Sequence, residues 1–311
     1  MTFENQLDSN LLNSNLSLDE CLDVAKRAAK AAGQRIAEML YSAEVREKSS
    51  KDLVTDADIA AQEIIYKILL GHFPTHSFVG EEGSQSVAAF DSPTSSSVSQ
   101  LVAGDVTPAG PKPDAVSSIV PPDCWCWVVD PIDGTANYVH RFPNFAVSIA
   151  LVRNGLSYVG VIYDPMADEL FCAISGKGAI LNGKPIRSSG CKQMDKALIA
   201  ASFPPNVGRG SVEIDQFVEV LVEAQSVRRL GSAALNLCYV ACGRLDGYWA
   251  GKVRSWDVAA GVLIAQEASC VLTAMDGSAF VLDHGDLTIA ASRELHSALT
   301  ECLNRVLKSS F

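Results

Sequence analysis

The stretch Trp127-Val128-Val129-Asp130-Pro131-Ile132-Asp133-Gly134-Thr135 changes character halfway along its length. Its apolar first third, continuing from Trp125, reads as a buried strand that drives straight into Asp130. Pro131 has no N–H to give a strand ladder, so pairing should stop there. Asp133-Gly134-Thr135 then reads as a turn into a helix. Asp130 and Asp133, three apart across a tight turn, can aim at one point. Two carboxylates that close repel each other and are costly to desolvate. Unless one is protonated, a cation belongs between them. Oxygen donors without convergent His or Cys select a hard ion, Mg²⁺ before Zn²⁺. The plain alternative is that Asp133-Gly134 is only a turn and helix cap.

Upstream, His76-Ser-Phe-Val-Gly80 reads as a short strand ending in Glu81-Glu82-Gly83. Further back, Asp56 to Leu70 reads as a helix with Ile59, Ile64, Ile68 and Leu69 inward, stopped by Gly71. Before it, Ser17-Leu-Asp-Glu20 has capping-box spacing and opens a helix carrying Leu22, Ala25, Ala29, Ile36, Met39 and Leu40 at helical intervals. Residues 1–16, rich in Asn, Ser and Asp, read as a flexible tail. Residues 84–123, rich in Ser, Pro, Ala and Gly without any period, read as an exposed insertion.

Downstream, strands are expected at 145–152 and 158–163, joined by the turn Arg153-Asn-Gly155, with a further strand pair across 169–184. A strand at 197–202, helices at 214–224 and 232–241, a strand at 247–250 and helices at 257–267 and 294–307 follow. Strand runs then helix runs, without strict alternation, point to layered α/β packing rather than a Rossmann domain or a barrel. Glu81, Glu82, Asp130, Asp133 and Asp257 all stand where strands end or helices start. Taken singly, Glu81-Glu82 is a solvated pair and Asp257 a helix cap. Together they form a set of carboxylates at element termini.

The composition narrows the class. With 48% hydrophobic residues, 311 residues can bury a large and mainly aliphatic core. A net charge of -11 with no Lys/Arg cluster excludes nucleic acid as a main partner. An anionic small molecule can still bind where a metal ion inverts the local field. Nine scattered cysteines, and a start Met1-Thr-Phe-Glu-Asn-Gln6 without a basic segment before an apolar run, lead to the expectation of a reduced, soluble, cytoplasmic protein. Cys124-Trp-Cys126 lacks a second Cys/His pair at zinc spacing and reads as strand. His72 and His76 read as capping or surface residues. His140 is open between packing and substrate contact, and Arg254 between the pocket and solvent.

Asp52-Leu-Val-Thr-Asp-Ala-Asp58, Gly80-Glu-Glu82, Asp130-Pro-Ile-Asp-Gly-Thr135 and Trp256-Asp-Val-Ala-Ala260 occur in the order of the inositol monophosphatase family. The chain resembles these magnesium-dependent, lithium-sensitive phosphatases from about residue 20 to its C-terminus. The resemblance implies a five-layered αβαβα sandwich, one phosphatase domain over 17–311, and a homodimer. It implies metal ligation of two or three Mg²⁺ by Glu81, Asp130, the Ile132 carbonyl, Asp133 and Asp257. Thr135 and Asp58 match the pair that activates a water, with Glu82 in the same outer shell. Asp133, Gly134, Thr135, Gly231, Ser232, Ala233, Ala250 and Asp257 match substrate-facing positions. Lys48 and Lys51 both stand where the family has a lysine before Asp-Leu-Val-Thr.

The implied activity is hydrolysis of a small phosphate monoester, inositol monophosphate first, by an in-line water with no phosphoenzyme. Two departures stand out. The gap between Glu82 and Trp127 is longer than the family's, and Ala250 replaces a glutamate that accepts bonds from ring hydroxyls. A related phosphatase for a sugar phosphate, histidinol phosphate or phosphorylated nucleotide is the competing enzyme reading. A non-catalytic regulatory protein on the same scaffold would require a lost ligand, and none is lost.

Overall fold

A computed structural model describes residues 16–49, 52–83, 123–204 and 206–309. The expected tail and nearly all of the expected insertion lie outside the described residues, as do Lys51 and the side chain of Lys48. The chain begins with α1 (Leu18–Met39), a hairpin of β1 (Val45–Ser49) and β2 (Asp52–Thr55), α2 (Asp56–His72) and β3 (Ser77–Gly80). Next come β4 (Cys126–Asp133), α3 (Thr135–Val139), β5 (Ala146–Arg153), β6 (Leu156–Asp164), β7 (Glu169–Ile174), β8 (Ala179–Leu181) and β9 (Lys184–Ile186). The second half has β10 (Leu198–Ser202), α4 (Val212–Glu223), β11 (Ser226–Arg228), α5 (Ala233–Ala241) and β12 (Gly247–Gly251). It closes with α6 (Ser255–Glu267), β13 (Val271–Thr273), β14 (Asp286–Ala290) and α7 (Arg293–Ser309).

Two sheets organise these elements. The seven-stranded sheet runs β3-β4-β5-β6-β7-β8-β9, parallel only between β3 and β4. The five-stranded sheet runs β11-β10-β12-β14-β13, with β11, β10 and β12 mutually parallel. Helices α1 and α2 cover one face of the larger sheet, α5 and α6 lie between the sheets, and α4 and α7 cover the outer face of the smaller one. This is the five-layered αβαβα sandwich.

Period-two alternation explains why β4 and β5 read as unbroken apolar runs. Trp127 and Val129 point to the α1/α2 side, while Cys126 and Val128 point to the α5/α6 side. A strand buried on both faces has no polar side to show.

Several expectations change. α2 runs past Gly71 to His72, and its inward face is Ala57, Ala61, Ile65 and Leu69, with Ile59 outside. The alanines allow close approach to the alanine-rich face of α1, which includes Ala25, Ala28, Ala29 and Ala32. Residues 169–184 begin three strands rather than a pair, because β8 and β9 form a hairpin at the sheet edge. The short strands β1, β2, β11, β13 and β14 are additional. His76 is a buried ring, stacked on Phe73 with centroids 4.9 Å apart, rather than a surface residue.

Candidate active site

The site is built on a bulge. Asp130 pairs with Ser148 and Asp133 with Ala146, so β4 uses three residues where β5 uses two. The extra residue brings Asp133 to the face toward the layer between the sheets, where the alternation of β4 already places Asp130. The Ile132 N–H donates to Asp130 Oδ1 at 3.0 Å, which closes the turn. Gly134 follows at φ +100°, and a Cβ there would lie 3.1 Å from the Asn144 carbonyl and 3.2 Å from that of Gly231. Glycine is therefore required where the chain enters α3. The Thr135 hydroxyl donates back to the Ile132 carbonyl at 3.1 Å.

Helix starts in the middle layer complete the cluster. Asp133 accepts from the Ser232 hydroxyl, from the Ala233 N–H at 3.2 Å and from the Ala234 N–H at 2.8 Å, capping α5 from another element. Asp257 sits in the first turn of α6 and accepts from the Arg254 N–H at 2.9 Å, so it supports the helix start while Arg254 occupies the cap. Carboxylate oxygens of Asp130, Asp133 and Asp257 all lie within 4.8 Å of one another, with Asp130 and Asp133 buried.

Burial pushes these acids up. Asp130 is held well above the carboxylate range by desolvation, then by the charges of Glu81, Asp133, Asp257 and Asp58. Asp257 is raised well above it by burial and by Asp133 and Glu81. Asp133 rises to about 6 because its burial is opposed by the bonds from Ser232, Ala234 and Ala233. Asp58 rises to about 7 through burial, against its bonds to Thr55 and with the charges of Glu82 and Glu81 adding to the rise. Glu81 and Glu82 thus share the field of this site, although the Glu81 carboxylate is outside the converging three. The donor set is all oxygen and more acidic than a site of this burial can hold in ionised form, which suits a hard divalent cation.

Asp58 occupies a capping box. Its Oδ2 accepts from the Thr55 N–H at 2.7 Å and hydroxyl at 2.6 Å, while buried Oδ1 has no hydrogen-bond partner. Ser232 and Ala250 have no exposed surface, and Ala233 has only 8%. Ser232 reaches the site through Asp133. Ala250 lies in β12 between Ser202 and Leu287, on the same core as Tyr248. Neither side chain lines an open face. Arg254 is exposed, and its charge tempers Asp257. His140 is an exposed cap at the end of α3.

Sequence reading missed Thr55 and the bond between Ser232 and Asp133. Thr55-x-x-Asp58 has capping-box spacing and was findable. The second pair joins residues 99 apart and carries no local signal.

A sequence profile of the inositol monophosphatase family matches residues 17–309. The chain belongs to that family. Inositol monophosphatase 1 of Solanum lycopersicum is 38% identical over 293 residues, covering 93% of this chain and 96% of that protein. Nus factor SuhB of Vibrio cholerae is 36% identical over 285 residues, covering 89% and 94%. The solved inositol monophosphatase of Anabaena superposes with a TM-score of 0.73 at 33% identity, covering 93% and 96%. As a member of the family, the chain is a phosphoric monoester hydrolase. No helix among the described residues is long and apolar enough to cross a membrane.

Proposed function

We propose that the chain hydrolyses inositol monophosphate and similar small phosphate monoesters with two or three Mg²⁺ ions. The observation that carries this reading is the convergence of Asp130, Asp133 and Asp257 within 4.8 Å in a buried setting. Asp130, Asp133, Asp257, Glu81 and the Ile132 carbonyl would hold the ions. Bound Mg²⁺ supplies Lewis-acid polarisation of the phosphoryl group and activation of water.

The protein's own groups do the rest. Thr135 donates its hydroxyl proton to the Ile132 carbonyl and keeps its oxygen lone pairs for a water. Asp58 Oδ1, buried and unpartnered, can accept that water's proton. Glu82 stands in the outer shell and acts on Asp58. The Gly134 and Thr135 N–H groups can hold phosphate oxygens. Gly231, Ser232 and Ala233 shape the side of the site that faces the alcohol. The family's usual homodimer and a cytoplasmic setting belong to the same reading.

Ala250 favours a second reading within the class, a broader phosphatase that also takes sugar phosphates, histidinol phosphate or phosphorylated nucleotides. A regulatory protein on this scaffold draws support from relatives named Nus factor SuhB. The intact carboxylate set speaks against it. The deciding experiment is phosphate release from a panel of monoesters with Mg²⁺. Turnover of inositol monophosphate inhibited by Li⁺ but not by equal Na⁺ supports the first reading. Turnover only of other monoesters supports the second, and no turnover of any supports the regulatory one.

A further inference from the structure

Glu81 and Glu82 lie just beyond β3, where a carboxylate's direction depends on whatever holds the backbone. One side is held by the sheet, because the Glu81 N–H donates to the Val129 carbonyl at 3.1 Å and so extends the β3-β4 pairing by one residue. The other side is held by a side chain. Gln62 Oε1 accepts from the Glu82 N–H at 3.0 Å, and Gln62 Nε2 donates to the Glu82 carbonyl at 2.5 Å. One amide thus satisfies both main-chain groups of one residue, as a neighbouring strand would.

The position of Gln62 is set by the helix that carries Asp58. It follows Asp58 by one helical turn on α2, so both side chains leave the same face of the helix. Space around the bridge is tight: a Cβ on Gly80 would come within 2.2 Å of Gln62 Oε1. The glycine of Gly80-Glu81-Glu82 is explained by this close approach, since Gly80 has no left-handed φ.

We infer that Gln62 is a positioning residue: its amide clamps the Glu82 peptide to α2 and thereby fixes Glu81 and Glu82 relative to Asp58. This rests on the metal-site reading above. It accounts for how carboxylates from β3, β4 and α2 keep one arrangement although they repel one another. Partners behind a ligand typically change metal affinity by about 10- to 100-fold when lost.

The test is calorimetric titration of the substrate-free protein with Mg²⁺, beside melting temperature and turnover. Gln62→Met keeps the length and apolar stem of the side chain and removes both bonds. It should weaken Mg²⁺ about 10-fold and lower kcat, with KM for the phosphate monoester unchanged at saturating Mg²⁺. Melting temperature should move by only a few degrees. Gly80→Ala should weaken Mg²⁺ similarly by displacing the amide, and Gly80→Ala combined with Gln62→Ala should be no worse than Gln62→Ala alone.

Wild-type Mg²⁺ affinity in Gln62→Met, or effects of Gly80→Ala and Gln62→Ala that simply add, would overturn the clamp and leave the phosphatase reading standing. A wild-type protein that turns over its substrate yet binds no Mg²⁺ would overturn both.

Discussion

The two ends of β4 bury titratable groups in opposite ways. At its start, His76 packs into aromatic rings, stacked on Phe73 at 4.9 Å and tilted against Trp127 at 5.9 Å. At its end, Asp130 and Asp133 are buried among other carboxylates. Both ends pay desolvation. His76 resolves it alone, because burial pushes its pKa down to about 4 and the ring stays neutral at ordinary pH. The carboxylates cannot all do so, since each raises its neighbours. One end of the strand therefore needs no cation, although His76 Nδ1 and Trp127 Nε1 are buried without a hydrogen-bond partner, and the other is complete only with protons or a cation. Substitutions at the first end should cost stability, and substitutions at the second should cost turnover.

The largest effect should come from the acidic end. Asp130→Asn should lower turnover by about three orders of magnitude or more, since positioning and charge neutralisation supply most of the catalysis. In chelator the same variant should melt higher than wild type, because one buried like charge is gone. A variant with near-normal turnover would move the site elsewhere.

The aromatic end should do the reverse. Trp127 is completely buried, and Trp127→Ala should cost about 3–5 kcal/mol of stability through the cavity it leaves. The folded fraction should keep kcat within a few-fold. A loss of kcat without a loss of stability would erase the distinction between the two ends.

Titration sharpens the comparison, because the ends have opposite signs. Asp58 has a folded pKa of about 7, above that of an unfolded carboxylate. Its penalty on the fold is absent below about pH 4, grows between about 4 and 7, and is full above. His76 has a folded pKa of about 4, below that of an unfolded histidine. Its contribution is full above about pH 6.5 and is lost as pH falls toward 4. Without metal, melting temperature should therefore fall from pH 5 to 8, since the carboxylates outnumber His76. With saturating Mg²⁺ the ligand carboxylates stay ionised and only the Asp58 penalty and the His76 gain remain, so the fall should nearly vanish between pH 5 and 6.5, and His76→Phe should restore it. The same slope with and without Mg²⁺ would contradict the account.

The turn into a helix at Asp133-Gly-Thr135 was legible because turn and cap are local to a few residues, whereas the strand does not stop at Pro131 as expected but bulges and pairs Asp133 with Ala146. The layered class was legible for the same reason, since the periods of α1 and β6 and the apolar run of β5 lie within single elements. What stayed hidden joins distant residues. Gln62 meets Glu82 across 20 positions, Asp133 meets Ser232 across 99, and β14 inserts between β12 and β13. His76 looked polar in sequence, and its burial depends on rings brought by α2 and β4.

The smallest expected effect concerns Ala250. Its side chain is wholly enclosed in the core between the sheets, so a glutamate there must displace core before it can reach a substrate hydroxyl. Ala250→Glu should raise kcat/KM for inositol monophosphate by about 10-fold relative to a monoester without ring hydroxyls, and lower melting temperature. Unchanged selectivity would show that hydroxyl recognition lies with other residues, Arg254 and Lys252 first.

The most direct test is the initial rate of phosphate release from inositol monophosphate against free Mg²⁺, starting from chelator-treated protein. The rate should be undetectable in excess EDTA, return with added Mg²⁺, and stay absent with Ca²⁺, whose looser coordination misplaces the water. Full turnover in excess EDTA would contradict the claim that the buried carboxylates at the end of β4 work through a bound cation.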